Sequence, residues 1–220
     1  MEELIGKSNG EHISKALKGS MDGLYKRVEM ARKNIRSGVD TGLHDLNKIT
    51  NGWQPGNLVI IAARPSMGKT AVMLHLAKSA AKSNTPVAIF SLEMSDISLA
   101  NRLILSECDV DPERFKSGYM TNEEIKKVET AVNELWRLPI YVDDNPCVTM
   151  DYIRSRCKIL KKQGKCGIIM ADYLQLAESG EREGNREREV AKMSRTAKIT
   201  AKELKVPFLL LSQLNRGNEA

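Results

Sequence analysis

Ala63-Arg64-Pro65-Ser66-Met67-Gly68-Lys69-Thr70 has the residue types and spacing of a loop that holds a nucleotide's phosphates. Such a loop needs a tight turn whose backbone N–H groups point inward at phosphate oxygens, with the positive dipole end of the following helix behind it. Gly68 lets the backbone approach the phosphates closely. Lys69 can reach the β- and γ-phosphates, and the Thr70 hydroxyl can hold Mg²⁺. The position that is ordinarily the first glycine of this Walker A pattern is Ala63. It can serve only if its backbone stays in a region open to a side chain.

Three further residues fit the same chemistry. Ile168-Ile169-Met170-Ala171-Asp172 is an apolar run ending in a carboxylate, which makes Asp172 the candidate Walker B residue, binding Mg²⁺ through a coordinated water. Glu93 ends Val87-Ala88-Ile89-Phe90-Ser91-Leu92-Glu93 and is the candidate to orient or deprotonate an attacking water. Gln213 follows Phe208-Leu209-Leu210-Leu211-Ser212, where its amide could hydrogen-bond a γ-phosphate and report its loss. Taken singly, each also fits a plainer role: Asp172 as a helix cap, Glu93 and Gln213 as solvated loop residues.

These residues need a scaffold that brings them to one edge. After Gly38 short apolar runs alternate with amphipathic stretches, the pattern of an α/β fold with a largely parallel, buried sheet. Five strands are predicted, at Leu58 to Ala62, Val87 to Ser91, Ile140 to Asp143, Gly167 to Ala171 and Val206 to Leu211. If all run parallel, Lys69, Glu93, Asp172 and Gln213 share the carboxyl edge of the sheet, where ligands gather in such folds. Thr121 with Glu124 forms a capping box, and Asp111 before Pro112 starts another helix with proline in its first turn.

Ahead of this domain, Ile13, Leu17, Met21, Leu24, Val28, Ala31 and Ile35 recur at helical spacing, so residues 1–37 are expected to form a helical linker or oligomerisation segment and residues 38–220 the main domain. Gly19 and Gly23 each cost roughly 1 kcal/mol in a helix. Two short helices joined near Ser20, with Asp22 as N-cap, therefore compete with one long helix. A stripe of this kind packs on its own domain or docks on a neighbouring subunit.

No run approaches the roughly eighteen apolar residues of a membrane span, and no signal-peptide pattern begins the chain, which leads us to expect a cytoplasmic protein. Cys108, Cys147, Cys157 and Cys166 lack the paired spacing of a zinc or redox motif and are expected to be reduced. The net charge of +6 suits a polyanionic partner but is too small to identify one.

Four stretches, Arg64-Pro65-Ser66-Met67-Gly68-Lys69-Thr70, Ser91-Leu92-Glu93-Met94, Asp172-Tyr173-Leu174-Gln175-Leu176 and Leu211-Ser212-Gln213-Leu214-Asn215-Arg216, resemble in content and order the successive motifs of DnaB-type replicative hexameric helicases. Thr41-Gly42-Leu43, Asp45-Leu46 and Gly52-Trp53-Gln54-Pro55-Gly56 resemble the segment leading into that family's RecA-like ATPase core. The resemblance covers nearly all of Gly38 to Arg216. It implies a RecA-like P-loop fold, ATP and Mg²⁺ as cofactors, Glu93 as catalytic glutamate, Asp172 as Walker B acid, and Gln213 coupling the γ-phosphate to DNA. It also implies a ring of six copies around single-stranded DNA, with primase and a helicase loader as further partners. The family's arginine finger and last DNA-binding loop follow the sensor motif, and no position up to Ala220 matches either, so the ATPase domain is expected to be incomplete at its C-terminal end.

In the resembling family the connection after Walker B faces the ring's channel. Here it is Glu178 to Glu189, a charged stretch expected to be an exposed loop, in which Arg182, Asn185, Arg186 and Arg188 could contact phosphates with little sequence preference. Nearly balanced acidic residues make a merely solvated loop the competing reading. Two other functions share the fold: a RecA-like recombination or clock-type ATPase, and a nucleotide-binding oligomerisation module that does not unwind DNA.

Overall fold

The computed structural model describes residues 12–33, 35–145, 149–172 and 183–213, without the side chains of 183–187 and 189. The chain divides into two compact units, Met1–Ser37 and Gly38–Ala220.

In the first unit, α1 spans Ile13–Arg32 without interruption. The two-helix alternative is thus not what forms: Ser20 and Asp22 lie inside the helix, and His12 accepts from the Ser14 N–H at its start. The glycine penalties are spread over 20 residues and do not break it. None of α1's residues is buried, and Ile13, Leu17, Met21, Leu24 and Val28 all expose much of their apolar surface.

The second unit is built on a five-stranded sheet in the order β1-β5-β4-β2-β3, every neighbouring pair parallel. The strands are β1 (Leu58–Ala63), β2 (Val87–Ser91), β3 (Ile140–Asp143), β4 (Ile168–Asp172) and β5 (Phe208–Gln213). The helices are α2 (His44–Thr50), α3 (Lys69–Lys82), α4 (Asp96–Glu107), α5 (Pro112–Ser117), α6 (Asn122–Leu135), α7 (Met150–Lys162) and α8 (Glu183–Leu204). α5 and α6 start where the sequence indicates. Asp111 accepts from the N–H groups of Glu113 and Arg114, and the Thr121–Glu124 box is closed in both directions.

Alternation along the strands sorts the core into two layers. Val87, Ile89, Ile168, Met170, Leu209 and Leu211 face α3 and α4, packing on Met73, Leu76, Ala77, Leu99 and Leu103. Ala88, Phe90, Ile169, Ala171, Phe208 and Leu210 face α7 and α8, packing on Ile153, Cys157, Ala197 and Ala201. Cys157 and Cys166 are free thiols in this second layer; hydrogen bonding between them and burial raise the Cys157 thiol well above its ordinary range. Cys147 lies outside the described residues.

Three strands end later than predicted. β1 includes Ala63, β4 includes Asp172 and β5 runs to Gln213, because each added residue finds a ladder partner: Ala63 pairs with Gln213, and Asp172 lies between Ser91 and Leu211. β5 also starts later than predicted, since Pro207 has no N–H to give a ladder. The charged connection expected to be a loop through Glu189 is shorter than that, with α8 beginning at Glu183. Among the described residues no helix is long and apolar enough to cross a membrane.

Candidate nucleotide site

The carboxyl edge of the sheet is set by the strand register. Ile61, Leu211, Asp172 and Ser91 lie in one row across β1, β5, β4 and β2. By alternation Leu211, Asp172 and Ser91 take the face of the sheet that carries α3. Two residues further along, Gln213 pairs with Ala63 at the end of β1, and Glu93 follows the end of β2.

The loop Arg64 to Gly68 leaves β1 at this edge and feeds α3. Ala63 belongs to β1 and is not among the residues with positive φ, so its side chain is accommodated. The left-handed turns that glycine would favour fall instead at Gly68, φ 82°, and at Ser66, φ 63°. Ser66 thereby holds a backbone conformation that costs a side-chain-bearing residue of order 1 kcal/mol. Gly68 caps α3 without any side-chain hydrogen bond, and the first N–H groups of a 14-residue helix face the loop.

Lys69 and Thr70 open α3 and both reach Asp172. Thr70 Oγ1 donates to Asp172 Oδ2 at 2.8 Å across 102 residues of sequence. Lys69 Nζ stands 2.9 Å from Asp172 Oδ1, an ion pair with 10% and 1% of the two side chains exposed. That pair lacks hydrogen-bond angles, so Lys69 Nζ and Asp172 Oδ1 are both buried without a hydrogen-bond partner. Buried polar groups with spare capacity are costly unless something else satisfies them. A cation next to open helix N–H groups suits phosphate oxygens. One carboxylate and one hydroxyl suit a hard cation that keeps several waters, as Mg²⁺ does. The residues present therefore fit a magnesium nucleotide.

Glu93 differs in environment from Asp172. It is exposed, and among the described residues it makes no hydrogen bond or ion pair. Its neighbours are well held. Leu92 packs into the α7–α8 layer and Met94 into the α3–α4 layer, so the turn straddles the sheet edge with Glu93 between two anchors. The turn leads into α4, whose Asp96 N–H donates to Asp144 Oδ2 at 3.1 Å. α4 is tied back to the phosphate-loop helix through Glu107, which receives Lys78 and, at 2.9 Å, Lys82. Burial pushes the Glu107 carboxyl up, but the hydrogen bonds and charges of the two lysines outweigh it and hold it below the usual carboxylate range.

Sequence reasoning missed what the segment from Asp40 to Asn47 does. Asp40 Oδ1 accepts from Gly42 N and Asn47 Nδ2, both at 2.8 Å, and Asn47 Oδ1 accepts from the buried Thr41 N–H at 3.1 Å. Gly42 has φ +74°, and a Cβ there would lie 2.7 Å from Ser79 Cβ on α3. The Thr41-Gly42-Leu43 motif is thus a strap against the phosphate-loop helix. Its signal in the sequence was Asp and Asn flanking a glycine. Of the candidate DNA contacts, Arg182 lies outside the described residues, Asn185 and Arg186 fall in the first turns of α8, and Arg188 is exposed on α8.

Residues 38–220 match the family described as the DnaB-like helicase C-terminal domain. The chain belongs to that family. Among curated relatives, the replicative DNA helicase DnaB of Geobacillus stearothermophilus is 41% identical over 199 residues, covering 89% of this chain and 44% of that protein. The replicative DNA helicase DnaC of Bacillus subtilis (strain 168) is 42% identical over 199 residues with the same coverage. The chain thus spans less than half the length of these relatives. Among solved structures, one described as an ATPase domain superposes with a TM-score of 0.81 at 33% identity, over 93% of this chain and 72% of that one. A DnaB-like replicative helicase, described with its interactions with primase, gives 0.78 at 32% identity, over 94% of this chain and 49% of that one. The RadB recombinase, at 0.50 and 16% identity, shares the fold alone. The DnaB-like fold is therefore the RecA-like one expected from the sequence.

Proposed function

We propose that this chain is the ATP-hydrolysing motor domain of a replicative DNA helicase, cytoplasmic and working as a homo-oligomeric ring, a hexamer, that translocates on single-stranded DNA. The observation that carries this is the convergence of Lys69 and Thr70 on Asp172, with Glu93 and Gln213 delivered to the same sheet edge, in a DnaB-family chain.

In this reading the N–H groups of Arg64 to Thr70 (Pro65 excepted, having none) cradle the phosphates and Lys69 offsets their charge. Thr70 and Asp172 would hold magnesium, which would supply charge neutralisation at the phosphate oxygens. Glu93 orients a water and takes its proton as the oxygen attacks the γ-phosphorus. The bond to the β-phosphate's bridging oxygen breaks and ADP leaves with that electron pair. Gln213 contacts the γ-phosphate and passes its loss to the DNA side, where Arg182, Asn185, Arg186 and Arg188 meet the backbone. The exposed apolar stripe of α1 supports residues 1–37 as a linker that docks on a neighbouring copy. Primase and a loader are the expected protein partners, primase being named with one solved relative.

The test is ATP turnover by the full-length protein with and without single-stranded DNA. Stimulation by DNA, abolished in Lys69→Ala and Glu93→Gln, is expected. Parental turnover in those two variants would overturn the assignment.

A further inference from the structure

We infer that Ser91 is a positioning residue for Glu93, its buried hydroxyl clamping the turn that presents the carboxylate. The inference rests on Glu93 acting on the attacking water, as proposed above.

Glu93 has no side-chain partner among the described residues, and among them its backbone turn is what sets its place at the sheet edge. That backbone is the turn Leu92 to Met94, and Ser91 closes it from both sides. Ser91 Oγ donates to Met94 O at 2.8 Å and lies 3.3 Å from the Met94 N–H, which donates back to it. Ser91 is 1% exposed, so water does not compete for these bonds. It sits in register with Asp172 on the α3 side of the sheet, and the Leu92 N–H donates to Asp172 O at 3.4 Å. The clamp therefore references the Glu93 turn to the strand that carries the metal-binding candidate. An alanine here leaves the Met94 N–H and carbonyl without the partner that fixes the turn, while Leu92 and Met94 stay anchored in the two core layers. The segment remains folded and the carboxylate loses its aim. A displacement on the order of 1 Å at a reacting group can cost up to about a hundredfold in rate.

The experiment measures steady-state ATP turnover of the full-length protein, with single-stranded DNA, for Ser91→Ala, Ser91→Thr, Glu93→Gln and the double variant Ser91→Ala/Glu93→Gln. Expected is a drop of about tenfold in kcat for Ser91→Ala with nucleotide KM and magnesium dependence unchanged, and recovery by threonine, which keeps the hydroxyl. The double variant should turn over no more slowly than Glu93→Gln alone, because a residue acting only through Glu93 has nothing left to position. An equal further loss in the Glu93→Gln background, or a shifted KM or magnesium requirement in Ser91→Ala, overturns the inference and makes Ser91 a contributor to the Asp172 side. Undiminished turnover in Glu93→Gln overturns instead the catalytic reading on which the inference rests.

Discussion

Asp172 and Glu93 come from adjacent parallel strands and lie at the same edge, yet they sit in opposite environments. Asp172 is the last residue of β4, 1% exposed, and holds Lys69 and Thr70 directly. Glu93 stands two residues beyond β2, exposed and, among the described residues, held through its turn. A buried acid wired to a lysine and a hydroxyl is part of the fold as well as the site. An exposed one on a clamped turn can act on a proton without the fold depending on it. One removal should therefore cost rate, and the other both rate and stability.

The largest effect expected is at Glu93. Glu93→Gln should lower kcat by about a hundredfold to ten-thousandfold while the urea midpoint stays where it was. A midpoint shift as large as that of an Asp172 variant would erase the contrast. Asp172→Ala comes next. Leaving Lys69 buried without its counter-charge should destabilise the domain by about 3 kcal/mol in urea unfolding, besides abolishing magnesium-dependent turnover. Gly42→Ala sharpens the comparison from outside the site. The strained φ and the approach to Ser79 should cost about 2 kcal/mol, with ATP turnover per folded molecule little changed.

The smallest effect is one of pH. Because the folded Glu107 carboxyl titrates below its unfolded value, its contribution is fully present above that value and is lost as pH falls through the folded one. Between about pH 5 and pH 3 the parent should lose about 1 kcal/mol more stability than Glu107→Gln, measured by thermal unfolding in matched buffers. Equal acid sensitivity would remove the α3–α4 lysine clamp from the account.

Much of this was legible because its causes are local. Val87-Ala88-Ile89-Phe90-Ser91 has the length and β-branched, aromatic content of a strand buried on both faces, Asp111-Pro112 and Thr121 with Glu124 carry helix-start signals, and the lysine and threonine after Gly68 mark the phosphate-loop pattern. What stayed hidden depends on neighbours that sequence does not name. Ser91 looks like one more small polar residue until Met94 turns back on it. Asp40 and Asn47 look like loop residues until Gly42 is pressed on α3. Asp172 and Gln213 fell outside the predicted strands because only their ladder partners extend those strands to reach them.

The sequence by itself determined where the five strands lie to within a residue or two, where α5 and α6 begin, and which residues are candidates for chemistry, since periodicity, capping and turn preference act over a few residues. Only the tertiary structure decided that β5 and β4 lie between β1 and β2, and that Asp172 turns to the face bearing α3, within 2.8 Å of a threonine 102 residues away. Period-two alternation specifies that a strand has two faces without saying which helix covers each, and that choice is made by burying both layers of the core at once.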